Sequence, residues 1–222
     1  CRWPLGFLVA GHRKTAVLVD FIRWHWPHTE VAMVAGAIGQ PRTVGGGDAH
    51  GKAVHECLDG ADLVVDATAE VGMSYFLSDA TREAGVPLIV ASATEGGWGG
   101  RVVCLGTDPD APCWFCIEQH TLDGTLPTPP SDPDPETGSI HPGGCTTPTF
   151  TGTGFDIGTV SLGAMRLAAS VLASGTDGYP AAGWNVAVYE FRNAACALPG
   201  AGRPYTVSRH PACESCNARL SG

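Results

Sequence analysis

Two CxxC pairs carry the clearest chemistry in this chain: Cys113-Trp114-Phe115-Cys116 and Cys213-Glu214-Ser215-Cys216. Four thiolates held as two hooks are the donor set of a tetrahedral zinc ion. Compact zinc modules keep their pairs within about 12–20 residues of each other. Here Cys113 and Cys213 stand a hundred positions apart, so one ion would clasp the end of the chain to its middle. His210 lies close to the second hook, but four sulfurs already close the site. A catalytic zinc keeps a position open for water, so the expected role is structural. The rival readings are two unrelated pairs or a redox dithiol. A redox CxxC usually occurs once, opening a helix after a strand.

Other reactive residues are scattered. Cys145 lies in Gly143-Gly144-Cys145-Thr146-Thr147, where small neighbours leave a thiol accessible; it reads as a nucleophile or as an incidental exposed cysteine. No histidine adjoins it in sequence to serve as base, although His141 is near enough to be worth testing. Cys57, Cys104 and Cys196 sit in apolar segments and read as buried packing thiols. Asp66 ends the apolar run Leu63-Val64-Val65, at the strand end where open α/β sheets bind ligands. It could hold a magnesium ion or a ribose edge, or cap the next turn. Gly45-Gly46-Gly47 lacks the strand-then-helix setting of a phosphate cradle.

The elements that must position these residues alternate. Leu5–Trp26 has helical periodicity, with Leu5, Leu8, Val9, Ala16, Val19, Ile22 and Trp26 on one face and Pro27 as the stop. Val31–Ala35 reads as a buried strand, and Gly36–Gly51 as a mobile glycine-rich loop. Ala53–Leu58 is a short helix and Asp62–Asp66 a second strand. A helix follows over Val71–Ala84, with Gly85 as its C-terminal stop. Strands are expected over Val86–Ala91 and Arg101–Leu105, then a Pro-, Asp- and Thr-rich crossover at about 118–150. A helix from Phe155 to about Leu172 and strands over Trp184–Phe191 and Pro204–Ser208 complete the chain. The pattern predicts an α/β fold with a Rossmann-like mixed, largely parallel sheet and flanking helices.

Composition narrows the classes. The 222 residues suffice for one domain, and 44% of them are hydrophobic. A net charge of −9 without a basic stripe argues against nucleic acid as a partner. No apolar run of about 20 residues points to a membrane partner. Nine cysteines, four of them in hooks, fit bound metal in a reducing cytoplasm better than a disulfide framework. The start at Cys1, without Met, reads as that of a fragment of a larger domain.

The order of these pieces resembles the ubiquitin-activating-enzyme superfamily, the ThiF/MoeB/HesA adenylyltransferases. Asp62-Leu63-Val64-Val65-Asp66-Ala67-Thr68 resembles that family's strand and "D-x-T-D-N" turn. Gly85–Ile89 and Gly99–Val102 resemble its next strands, and Cys113–Cys116 its "C-Y-x-C" hook. Gly158–Ala164 is similar to its "I-G-S-L-Q-A" helix start, and His210–Cys216 to its terminal "N-P-x-C-x-x-C" hook. The resemblance implies ATP and Mg2+ as cofactors, beside structural Zn2+. It implies activation of the C-terminal carboxylate of a ubiquitin-like or sulfur-carrier protein or peptide as an acyl-adenylate, in a homodimer.

On that resemblance Lys14 matches the phosphate-reaching lysine of "G-x-x-K-A", and Arg2 the arginine of "N-x-x-R". Cys145 falls where thioester-forming members carry their nucleophile. Two carboxylate- and phosphate-borne anions must meet in this reaction, so cations and alignment are what the site has to supply. The chain departs from the pattern at Ala69, where the family has Asp, and Glu70 stands for the usual Asn; Glu70 is then the candidate to take over metal binding. Two rivals remain: a catalytically inactive partner subunit of the same fold, and an NAD(P)-dependent oxidoreductase on a similar sheet.

Overall fold

The computed structural model describes residues 14–34, 54, 56–68, 70–108, 110–134, 154–176 and 178–220. Its contacts divide the chain into two compact units, Cys1–Asp59 and Gly60–Gly222.

In the first unit the expected long helix is described as α1 (Lys14–His25). Val17 is its buried residue, while Trp26, just past the helix, is 55% exposed. Val54 and Glu56–Leu58 are helical, as expected. The expected strand at Val31–Ala35 is corrected: Val31–Val34 carry no strand, and Met33 and Val34 are about half exposed. An apolar run becomes a strand only where a partner strand takes up its backbone bonds, and none does so among the described residues. Gly36–Gly51 lies outside the described residues.

The second unit is built on a five-stranded sheet: β1 (Val64–Asp66), β2 (Leu88–Ala93), β3 (Gly99–Leu105), β4 (Val186–Glu190) and β5 (Gly202–Tyr205), in that spatial order. The fold is α/β with a mixed sheet, as the pattern predicted. Its parallel share is smaller than predicted. Only β1 and β2 run parallel among the described strands, with Val64 opposite Leu88, and the three later pairings are antiparallel. Connection length explains the first of these antiparallel pairings. Parallel neighbours need a crossover of a dozen or more residues. Helix α2 (Val71–Ala84) supplies one between β1 and β2. Between β2 and β3 there is only a tight turn, Glu95–Gly97, with Gly96 and Gly97 at positive φ.

The C-terminal end of α2 is set by Gly85 in the left-handed region (φ 69°), as expected. Its N–H donates to the Arg82 carbonyl, and the Val86 N–H to that of Thr81. The first hook opens α3 (Trp114–Leu122), so residues 118–122 of the expected crossover are helical. Beyond it Asp132 N–H donates to the Glu95 carbonyl and its carboxylate faces Arg192 at 3.7 Å.

Helix α4 (Gly154–Leu172) covers the sheet. By length and composition alone it could cross a membrane, which the sequence pattern did not suggest. Its Val160, Ala164, Leu167 and Ala168 form one buried stripe at helical spacing, packed on Ile89, Val102, Ala187, Tyr189 and Phe191. That stripe belongs to the core of the second unit, while Phe155, Leu162, Met165 and Leu172 on the same helix are exposed. Each fully buried Val, Leu or Ile there contributes about 1.5–3 kcal/mol. Close approach of α4 to β3 depends on Gly100, where an added Cβ would stand 2.6 Å from Val160 Cγ2 and 2.8 Å from the Ser92 carbonyl oxygen. Gly100→Ala is accordingly expected to destabilise the protein by about 1–3 kcal/mol, read as a lower urea midpoint. An unchanged midpoint would contradict this packing.

Candidate metal centre and sheet-edge acid

Each hook is set by a helix start. Cys113 caps α3 from an extended conformation, and the Trp114 N–H donates to Ser78 Oγ of α2 at 3.0 Å. One helical turn later Cys116 returns to the same side. The Trp114 ring lies under the Arg101 guanidinium at 4.9 Å, and Arg101 pairs with Glu118 at 2.9 Å. The second hook repeats the design: Cys213 precedes α5 (Glu214–Leu220), and the Cys216 N–H donates back to Cys213 Sγ at 3.4 Å.

The hooks meet. Sγ of Cys113 is 3.7 Å from that of Cys116 and 3.5 Å from those of Cys213 and Cys216. Cys116 and Cys216 are 3.6 Å apart, and all four cysteines are at most 3% exposed. These separations exceed a disulfide bond of about 2.05 Å. They lie near the edge of about 3.8 Å that a tetrahedron with 2.3 Å Zn–S bonds requires. The chemistry of the donors and their spacing fit a closed tetrahedral ion, and the cluster could hold zinc. Such an ion, with four sulfurs around it, would cross-link the fold and leave no position for substrate.

His210 secures the second hook. Its Nδ1 accepts from the Ala212 N–H at 3.1 Å, so Nε2–H donates to Asp123 Oδ2 at 3.0 Å. Hydrogen bonds from the Thr125 hydroxyl and N–H, and then from His210, hold the Asp123 carboxyl well below the usual carboxylate range. His120, edge-on to His210, pairs through Nε2 with the Ser208 carbonyl at 3.0 Å and through Nδ1 with Thr125 Oγ1 at 2.8 Å. His120, Asp123 and His210 are close enough to hold an ion of their own, but their ring nitrogens are committed to these bonds. They form a polar clamp between the end of α3 and the approach to Cys213.

Asp66 is buried at the end of β1. Its Oδ1 accepts from the Thr68 N–H and hydroxyl at 2.9 and 2.7 Å, and its Oδ2 from Ser74 Oγ at 2.8 Å. Both oxygens thus tie β1 to the start of α2. Glu70 is exposed at the N-cap of α2, and its side chain makes no capping hydrogen bond. Lys14 is the first residue of α1, in the other unit. Arg2, Ala69, His141 and Cys145 lie outside the described residues. Of the expected packing thiols, Cys104 is half-buried and burial pushes its thiol up to about 11. Cys57 and Cys196 are corrected to exposed: Cys57 is on an outer face of its short helix, and Cys196 in the turn beside the Arg192–Ala197 bridge. Sequence reasoning missed Ser74, Ser78 and Arg82, which lie at four-residue spacing on α2; that spacing on a helix with a buried face was the available signal.

The chain is 33% identical to the uncharacterized protein y4oA of Sinorhizobium fredii over 98% of its own length, and spans 36% of that relative. It is 35% identical to the SAMP-activating enzyme E1 of Haloferax volcanii over 33% of this chain and 26% of that protein. The adenylyltransferase and sulfurtransferase MOCS3 of Dictyostelium discoideum matches at 35% identity over 34% of this chain and 15% of its own length. No family model matches the chain. About a third of the chain is therefore similar to E1-like adenylyltransferases, and these matches support a ThiF/MoeB-like region within it.

Metal uptake at this centre is expected to be pH-dependent. Without an ion, the bond to Cys116 and then burial push the Cys113 thiol up to about 12, and burial pushes Cys213 up to about 11. The bond with Cys113 lowers Cys116. At neutral pH a zinc ion must displace protons from the raised thiols, so affinity rises with pH and falls on acidification. Chelator competition at pH 6, 7 and 8 should show apparent affinity increasing at least tenfold per pH unit, for one or more protons released. A flat profile would exclude thiol ligation.

Proposed function

We propose that this chain carries the sheet, the acid edge and the zinc clasp of an E1-like adenylation domain. With ATP and Mg2+ the domain activates the C-terminal carboxylate of a ubiquitin-like or sulfur-carrier protein or peptide. The observation that carries this reading is the convergence of two hooks, a hundred residues apart, on one buried four-sulfur cluster. The partial similarity to the Haloferax and Dictyostelium enzymes supports it.

Zinc, held by Cys113, Cys116, Cys213 and Cys216, supplies a cross-link and no reaction step. Lys14 and Arg2 stabilise charge on the phosphates as the partner carboxylate attacks the α-phosphate and pyrophosphate leaves. Asp66 and Glu70 form the magnesium-facing edge. Cys145 then attacks the acyl carbon as thiolate; its S–C bond forms as AMP departs, leaving a thioester. The domain works as a homodimer in a reducing cytoplasm, where its thiols stay available.

ATP–pyrophosphate exchange tests the reading. Partner-dependent exchange is expected, and Cys145→Ala should retain exchange while losing a reductant-sensitive partner adduct. Absence of exchange with every ubiquitin-like and sulfur-carrier partner tried would sink the activity.

One observation favours a second reading, a non-catalytic partner subunit. Both carboxylate oxygens of Asp66 are already engaged, by Thr68 and Ser74, so the acid is tied into the local turn rather than held free for an ion. A thermal shift with ATP–Mg separates the two readings: the active domain should be stabilised, and the inactive subunit should melt unchanged.

A further inference from the structure

We propose that Arg82 is a positioning residue of the metal centre, spanning both hooks and offsetting the negative charge that four thiolates leave around a divalent ion. The proposal rests on reading the four-sulfur cluster as a zinc site.

Four thiolates around one Zn2+ carry a net charge of about −2 by formal count. The cluster is almost completely shielded from water. A buried charge is costly unless hydrogen-bond donors or an opposite charge surround it. Backbone donors supply part: the Cys216 N–H bonds to Cys213 Sγ, and His210 backbone hydrogen bonding lowers Cys116. Arg82 supplies a full positive charge. Its Nη1 donates to Cys216 Sγ at 3.6 Å, across 134 residues of sequence. Its Nη2 donates to the Ala111 carbonyl at 2.8 Å. Ala111 leads into Cys113, so one guanidinium touches the second hook and the approach to the first.

Arginine suits both tasks. The planar fork directs two donors at fixed angles and stays charged at any accessible pH. Lysine keeps the charge but is a point donor on a flexible stem, without that fork. The residue is also delivered along a rigid path. Ser74, Ser78 and Arg82 follow one stripe of α2: Ser74 bonds Asp66, Ser78 bonds the Trp114 N–H, and Arg82 bonds Cys216. Partners of metal ligands typically contribute about 10–100-fold in metal affinity.

The test uses Arg82→Met and Arg82→Lys in the whole chain, with zinc affinity from chelator competition, the sulfur-to-metal charge-transfer band of the Co2+-loaded protein, and melting with and without metal. Arg82→Met should lose about 10–100-fold in zinc affinity and shift the band, while the metal-free protein melts near the parent. Arg82→Lys should recover part of the affinity. Parent-like affinity and band in Arg82→Met would overturn the proposal. So would an equal loss of melting temperature with and without metal, the mark of a packing role alone. Should the Met variant not fold, the Lys variant decides: an intermediate loss supports the fork, and parent-like affinity overturns it. Failure of the unsubstituted chain to take up zinc or cobalt removes the metal reading itself, an outcome distinct from loss of Arg82's role alone.

Discussion

Four sulfur atoms from positions a hundred residues apart share one buried volume, and the second unit is organised around that meeting. Chain entropy resists it, although the cost of closing a loop grows only as the logarithm of its length. Helix α5, at seven residues, is far too short to persist in water on its own. Its order has to come from tertiary contacts, and those available to it are the sulfur cluster, the His210–Asp123 clamp and the Arg82 contact. A tetrahedral ion there would hold the last turn of the described chain against α3 and α2. The same constraint fixes the pose of α3, whose first residue is bonded to Ser78 and whose last turn leads to Asp123.

Helix α2 is the beam that joins the two ends of this arrangement. Its start is bonded to Asp66 through Ser74, and its last turn reaches the cluster through Arg82. Its Leu77 and Ala80 are buried in the apolar layer. A helix of 14 residues rises about 1.5 Å per residue and transmits position along its axis without much give. The acid edge of β1 and the metal centre are therefore two ends of one stiff element. A change in the cluster has a short mechanical route to the sheet edge, and the backbone bonds at Gly85 fix where that route ends.

Much of this was legible because short-range rules govern it. The CxxC spacing announced the donor set, since two cysteines three apart at a helix start face the same way. Gly85 announced the end of α2, because a left-handed residue without a side chain is the ordinary helix stop. The apolar run announced α4 as a helix but not which face it buries: Phe155, Leu162, Met165 and Leu172 are exposed, while Ala164 and Ala168 are buried. Strand direction was not legible: Arg101–Leu105 and Trp184–Phe191 are apolar in either sense; the turn at Gly96-Gly97 decides it for the first, and the long connection to the second permits either direction. Val31–Val34 has strand-like composition without a partner among the described residues. The spacing of Ser74, Ser78 and Arg82 could place Arg82 on one stripe of α2, but nothing near it in sequence names its partner, a sulfur 134 residues away. Asp66 was found, but its bonds on both oxygens to Thr68 and Ser74 could not be, because the Ser74 bond needs the helix to fold back over the strand end.

Those bonds shape how a nucleotide site at this edge would have to work. A carboxylate with three donors is firmly held, and each bond to a charged group contributes about 1.5–3 kcal/mol. Three donors leave about one of the carboxylate's four lone-pair sites open, on Oδ2, at the point where α2 is anchored to the sheet. Glu70 is less tightly held: it sits exposed at the N-cap with its carboxylate uncommitted to a cap, at the positive end of a helix that favours an anion. Under the adenylation reading the two acids divide the work. Asp66 is the more firmly held of the two, and Glu70 the one with more freedom to approach an ion on bound phosphate.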